Sequence, residues 1–220
     1  MKHTHCGRGC GRDSLEPTDV RSDWEATRLR RRLDEDRRDE LLDGVMAIIA
    51  ERGFSQVTIA ELARELRCSA ATLYKIAPSK DSLVLLAIAR WADVVFSDME
   101  ARSAKGKSAS ERARVYFRAG AAHTQPLSLT FYADIGRFES TRLAWWTGVV
   151  EPYLDRFIEL VRLAEEADEI RPVNTRLLAE VLRQVGSVTR NDQVLRASGL
   201  SHERAVLEID SLIWEGLRKS

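Results

Sequence analysis

The stretch Thr58-Ile59-Ala60-Glu61-Leu62-Ala63-Arg64-Glu65-Leu66-Arg67-Cys68-Ser69-Ala70-Ala71-Thr72-Leu73-Tyr74-Lys75-Ile76-Ala77-Pro78-Ser79-Lys80 decides the fold. Thr58 and Glu61 stand in capping-box spacing, a hydroxyl and a carboxylate that satisfy the free amides of a helix start. The helix they open sets Ile59, Leu62, Ala63 and Leu66 on one apolar face, at i, i+3, i+4 and i+7. Ser69 then caps a second short helix, Ala70 to Ile76, which Pro78 ends. Two short helices across a three-residue turn, the second amphipathic and exposed at its start, form the geometry of a helix-turn-helix. Such a unit lays its second helix in the major groove while the first braces the backbone. An ordinary helical hairpin has the same periodicity, so spacing alone leaves both open.

Upstream, Leu41, Leu42, Val45, Met46, Ile48 and Ile49 form a helical stripe that stops at Arg52-Gly53, where Gly supplies a left-handed turn. Gly44 inside it costs about 1 kcal/mol against Ala, which packing must offset. Downstream, Ser79 opens a long helix through Leu83, Ala87, Trp91 and Val94. Ser108 and Glu111 form a second capping box, ahead of Val115, Tyr116 and Phe117. Pro126 starts a short helix with Leu129, Phe131, Tyr132 and Ile135. A helix from about Glu139 carries Trp145 and Trp146, and Pro152 kinks or restarts it. Pro172 opens a helix with Val181, Leu182 and Val185, and Ser201 caps the last, with Val206, Ile209 and Ile213. The reading is all-α: a flexible arm over 1–36, an N-terminal three-helix helix-turn-helix domain over 37–82, and a C-terminal helical bundle over 83–220.

Composition agrees with this and removes other classes. Of the 220 residues 44% are hydrophobic and 31% charged, an ordinary globular balance. Gly and Pro are sparse and no run alternates apolar with polar residues, which argues against a β protein. No apolar stretch approaches the roughly 18 residues that span a bilayer. No apolar segment follows the charged first residues as in a secretory signal, so a cytoplasmic protein without a membrane partner is expected. The 34 basic and 34 acidic side chains cancel, so a nucleic-acid site must rest on local placement of cations. In the arm, Arg28, Arg30, Arg31 and Arg32 lie beside Asp34, Glu35 and Asp36. A solvated arm is favoured there over a minor-groove extension, and Trp24 to Asp36 is compatible with a helix. Cys6 and Cys10, with His3 and His5, match no standard zinc spacing, and no metal or cofactor is expected. No Ser/His/Asp or Cys/His set and no Gly-rich phosphate loop points to an enzyme.

The run from Arg38 to Leu83 carries more than periodicity. Gly53-Phe54 after the first helix, the Thr58-Ile59 cap, Thr72-Leu73-Tyr74 in the second short helix and Ser79-Lys80-Asp81-Ser82-Leu83 fall in one order and spacing. That run, about a quarter of the chain, resembles the TetR family DNA-binding domain. The chain departs from the family pattern in two places. Arg67 stands in the turn where Gly is usual and must accept a left-handed conformation, and Ile76-Ala77 ends the recognition helix where His or Tyr then Phe is common.

The resemblance implies a regulator, in the first instance a repressor released by a small-molecule effector. As a homodimer it would bind a palindromic double-stranded DNA operator. Thr58 and Lys80 would touch phosphates beside helix starts, and Tyr74 would reach the backbone. Ser69, Ala70, Ala71, Thr72 and Lys75 would lie nearest the base edges. Ala70 and Ala71 offer methyl groups and no hydrogen bonds. The bundle over 83–220 would bind the ligand and dimerise, with Trp91, Phe117, Phe131, Tyr132, Trp145, Trp146 and Gln184 as pocket candidates. An aromatic stripe at helical spacing is also what plain core looks like. The last two helices would form the dimer face through Val181, Val185, Ile209 and Ile213, with Gly186 permitting close approach. The alternative is a helical homodimeric interaction protein that has kept the fold and lost specific DNA binding, which the neutral charge and alanine-rich recognition helix favour.

Overall fold

The computed structural model describes residues 18–188 and 191–219, with side chains from Arg31 onward except Leu33, Ser187 and Asp192. Every regular element among them is helical: α1 (Thr18–Arg52), α2 (Ile59–Glu65), α3 (Ala70–Ile76), α4 (Lys80–Ser103), α5 (Ala109–Thr124), α6 (Leu129–Arg137), α7 (Glu139–Trp145), α8 (Glu151–Glu166), α9 (Thr175–Val188), α10 (Asp192–Ser198) and α11 (His202–Leu217). The chain divides within α1 into two compact units, one up to Asp39 and one from Glu40.

In the first unit the described residues are helical from Thr18, a helix that includes the Trp24 to Asp36 stretch compatible with one. The cause is local: no Gly or Pro interrupts Thr18 to Asp43, and charged residues of both signs recur at helical spacing. Arg31, for example, pairs with Glu35 one turn on at 3.0 Å. Cys6, Cys10, His3 and His5 lie outside the described residues.

The second unit holds two cores. The first gathers Val45 and Ile49 of α1, Leu62 of α2, Leu73 of α3, Leu83 and Ile88 of α4, and also Phe131 and Ile135 of α6. The other joins Val95 and Met99 of α4 to Tyr116 and Phe117 of α5, Phe157 and Val161 of α8, and Leu182 and Trp214 from α9 and α11. With 24 residues α4 is about 36 Å long and serves both cores. On α11 the buried Asp210 accepts hydrogen bonds from Arg114 (3.0 Å) and Arg118 (2.6 Å), which ties α11 to α5.

Where a kink or restart is expected at Pro152, the backbone stays helical and changes its winding instead. A single π turn, Trp146–Val150, separates α7 from α8, and the Glu151 N–H reaches back to the Trp146 carbonyl. Proline has no N–H to continue the α ladder, and the wider turn absorbs the break.

At the far end of α8, the Asp168 N–H donates to Glu165 O and the Glu169 N–H to Ala164 O, with Asp168 left-handed at φ 59°. This Schellman closure aims Glu169 at the start of α5. There its carboxylate accepts the Ser110 N–H at 2.7 Å and the Ala109 N–H at 3.2 Å. The Ser110 backbone bond, first among several, holds the Glu169 carboxyl down to about 2 from an ordinary 4.5. A depressed folded-state value means the stabilisation is complete above pH 4.5 and is lost as pH falls toward 2. Glu169→Gln is therefore expected to lower the melting temperature at pH 7, with the gap to the parent closing between pH 4.5 and 2. Thermal melts across that range check it, and a pH-independent gap would contradict the account.

Candidate nucleic-acid interface and cavity

The capping box at α2 forms. Glu61 N–H donates to Thr58 Oγ1 at 3.2 Å, and Thr58 N–H donates to a Glu61 carboxylate oxygen at 2.8 Å. The Thr58 backbone bond, followed by the Thr58 hydroxyl, pulls the Glu61 carboxyl below its ordinary range. The turn closes as another Schellman motif, with Arg67 N–H to Arg64 O at 3.3 Å and Cys68 N–H to Ala63 O at 2.9 Å. That geometry needs a left-handed residue after the cap. Arg67 takes it at φ 51°, at a cost of about 1 kcal/mol relative to Gly. Buried Leu62 and Leu73 hold α2 and α3 against α1 and α4, and Ser69 caps α3 by accepting the Thr72 N–H at 3.1 Å.

This packing leaves one face to solvent. Thr58, Ser69, Ala70, Ala71 and Lys75 are exposed, and Tyr74 is 53% exposed, so its ring is no part of the core. Thr72 is half-buried, its hydroxyl 2.9 Å from that of Ser69.

Lys80, expected beside a phosphate, is engaged within the domain in the free chain. Its ammonium donates to the carbonyls of Phe54 (2.9 Å), Ser55 (3.2 Å) and Val57 (3.0 Å). An ammonium has three N–H donors, and these three acceptors saturate it. The loop between α1 and α2 has carbonyls that no helix satisfies, and the first residue of α4 lies within reach of them. The loop's amides are held from the other side. One Asp134 oxygen, on α6, accepts the N–H groups of Phe54 at 2.7 Å and Ser55 at 2.8 Å. Burial works to raise the Asp134 carboxyl, and the Ser55 and Phe54 amides outweigh it, so the net direction is down. Gly53 lets the two meet: its φ is +75°, and a Cβ there would stand 2.6 Å from that same oxygen. Sequence reasoning missed Asp134. Its trace was a single carboxylate set between Phe131 and Ile135 on the apolar stripe of α6.

A cavity of about 250 Å3 opens between α4, α5, α8, α9 and α11. Of the seven pocket candidates it brings together Trp91, Phe117, Trp145 and Trp146. Trp91 and Trp145 stack at 5.6 Å, and the π turn puts Trp146, Val149 and Val150 on the wall. Phe131 and Tyr132 lie behind it. Phe131 is fully buried in the first core, and Tyr132 packs against that core with its hydroxyl toward Thr124 O. Gln184 is exposed on α9 beside Glu180. Val185, Gly186 and Ile209, expected at a dimer face, line the cavity in the single chain, and Val181 is exposed. Polar groups on the wall include Thr124, Arg183 and His202, and among the described residues no Asp or Glu lines it.

Residues 41–87 match the family model for bacterial regulatory proteins of the tetR family. Those 47 of the chain's 220 residues form a TetR-family DNA-binding domain. No curated protein matches it. Among solved structures it is similar to a candidate transcriptional regulator from Saccharomonospora viridis in complex with choline: 21% identity, 84% of this chain and 99% of that one, TM-score 0.70. A TetR-family transcriptional regulator from Agrobacterium tumefaciens aligns at 13% identity over 84% and 100%, TM-score 0.66. The fatty acid degradation regulator FadR from Bacillus halodurans aligns at 16% identity over 84% and 97%, TM-score 0.63. At these identities the likeness is one of fold. It covers the helical bundle as well as the helix-turn-helix.

Proposed function

We propose that this TetR-family chain is a homodimeric transcriptional regulator whose grip on operator DNA is set by a small, largely apolar effector in the C-terminal cavity. The observation that carries the DNA-binding half is the open face of the TetR-family domain: Thr58, Ser69, Ala70, Ala71, Thr72, Tyr74 and Lys75 stand together on a two-helix unit whose opposite side is packed. Tyr74 meets the phosphate backbone, and Lys75 is the one long cation on α3, suited to a guanine edge. Lys80 acts through the loop it holds rather than as a phosphate ligand.

The effector's chemistry follows from the wall. Trp and aliphatic groups favour an apolar body, and about 250 Å3 accommodates roughly eight groups the size of a water or methylene. With Arg183 present and no carboxylate among the described lining, a neutral or anionic end fits better than a cation. A medium-chain alcohol or acid meets both the apolar wall and Arg183. For the dimer, Leu177, Val181 and Val188 make an exposed apolar stripe on α9 and Leu212 an exposed residue on α11, a face suited to a second copy.

Tyr74 and Lys75 test the DNA half. Tyr74→Phe keeps the ring and loses one hydroxyl hydrogen bond, so affinity should fall about fivefold on specific and random duplexes alike. Lys75→Ala should change the ranking among operator variants. Fluorescence anisotropy on labelled duplexes reads both. Two variants that bind like the parent would favour the scaffold alternative.

A further inference from the structure

The cavity and the DNA-binding helices are joined by a short series of contacts. Trp145, on the cavity wall, meets Phe131 edge-on at 5.6 Å and 73°, and Tyr132 at 5.8 Å and 85°. Phe131 meets Phe54 edge-on at 6.1 Å. One turn beyond Phe131 on α6, Asp134 holds the amides of Phe54 and Ser55, and at the start of α6 the Ser128 N–H donates to Ala50 O at 2.8 Å. The same loop is held through its carbonyls by Lys80, on the helix whose Trp91 and Val95 line the cavity. Thr58, the cap of α2, directly follows.

We propose that Asp134 is the positioning residue that makes the DNA-binding helices follow the cavity: it fixes the loop ahead of α2 to α6, and α6 carries the packing behind Trp145. The idea rests on the function proposed above for its DNA readout, but the mechanical part stands without it. Asp134 is 3% exposed, and its carboxylate bridges two elements far apart in sequence. A guest that displaces Trp145 moves Phe131. The aromatic packing then shifts α6 against α1, and the two amide bonds either carry the loop along or break. Cores are close-packed, so such a shift is transmitted rather than absorbed. Without the carboxylate, the loop keeps its Lys80 bonds and the Phe54–Phe131 ring contact, but its amides are no longer held to α6.

The test uses the full chain with 1-octanol as probe, Trp fluorescence to follow occupancy, and amide exchange to read the loop. Octanol should bind the parent and Asp134→Ala with the same affinity within twofold. In the parent it should change exchange at Phe54, Ser55 and the first turn of α2. In Asp134→Ala those amides should exchange roughly tenfold faster or more, because two bonds to a charged group are gone, and octanol should no longer alter them. Asp134→Asn, which keeps an acceptor in the same place, should restore part of the response at a similar melting temperature. A role confined to stability would lower the melting temperature of Asp134→Ala and leave the octanol response intact, which overturns the proposal. Octanol failing to bind the parent, or binding with no change at Phe54 and Ser55, also overturns it. In the DNA arm, octanol should shift the parent's duplex affinity several-fold, DNA should shift octanol affinity by the same factor, and both shifts should vanish in Asp134→Ala. A parent that binds no DNA counts against the function proposed above and leaves the exchange measurement to decide the coupling.

Discussion

Phe131→Ala should destabilise the protein by about 3–5 kcal/mol, the largest effect expected of any single truncation considered for this chain. The side chain is 0% exposed, and its ring is met edge-on by Phe54, Tyr132 and Trp145. Removing it leaves a void between aromatic groups that are too large to close over it. For a chain of this size the loss corresponds to a fall in melting temperature of roughly 10 °C. Calorimetry or a circular dichroism melt measures it. A loss under about 1 kcal/mol would mean that the site collapses freely and that α6 is not an integral wall of the first core.

Gly53→Ala should cost about 3 kcal/mol, an unusual penalty for adding one methyl group. At φ +75° an L-residue already loses about 1 kcal/mol. The new Cβ would also stand 2.6 Å from Asp134 Oδ2 and 2.7 Å from Thr130 Cγ2. The carboxylate must retreat, leaving the Phe54 and Ser55 amides without their acceptor. Gly136 on the same helix serves as the control, because nothing lies within 4 Å of a Cβ built there. Alanine at that helical position should be neutral or stabilise by up to about 1 kcal/mol. Denaturant unfolding of the two variants separates the cases, and equal effects would contradict the geometry around Asp134.

What the sequence made legible was local. Caps and apolar spacing located α2, α3 and α4 because Thr58, Ser69 and Ser79 each bond within three residues of themselves. The left-handed strain at Arg67 was readable from the family resemblance, because Arg stands in the turn where Gly is usual. Tertiary choices were not readable. Phe131, Tyr132 and Trp145 share one aromatic pattern, yet only Trp145 reaches the cavity, because a helical stripe does not say which of two cores it faces. Val185 and Ile209, expected at an interface, line the cavity of the single chain, which their apolar spacing alone did not reveal. The loop carbonyls that the Lys80 ammonium holds lie 23 to 26 residues away in sequence and left no local trace. Asp134 acts across 80 residues of chain, and no local rule reports such a partner. The short α10 went unread although Asn191 caps it and left-handed Gly199 ends it, since seven residues give little periodicity.

Under the function proposed above, an exposed helix-turn-helix face grips DNA and the cavity sets the strength of that grip. The most direct measurement is duplex affinity as a function of salt, with and without 1-octanol, on fragments selected by the protein from genomic DNA. The account predicts two chains per selected duplex and log affinity falling linearly with log salt, with a slope of about 0.9 for each phosphate contacted. It further predicts a several-fold shift in affinity when octanol is added. Failure to enrich any fragment, or an affinity indifferent to salt, would contradict it.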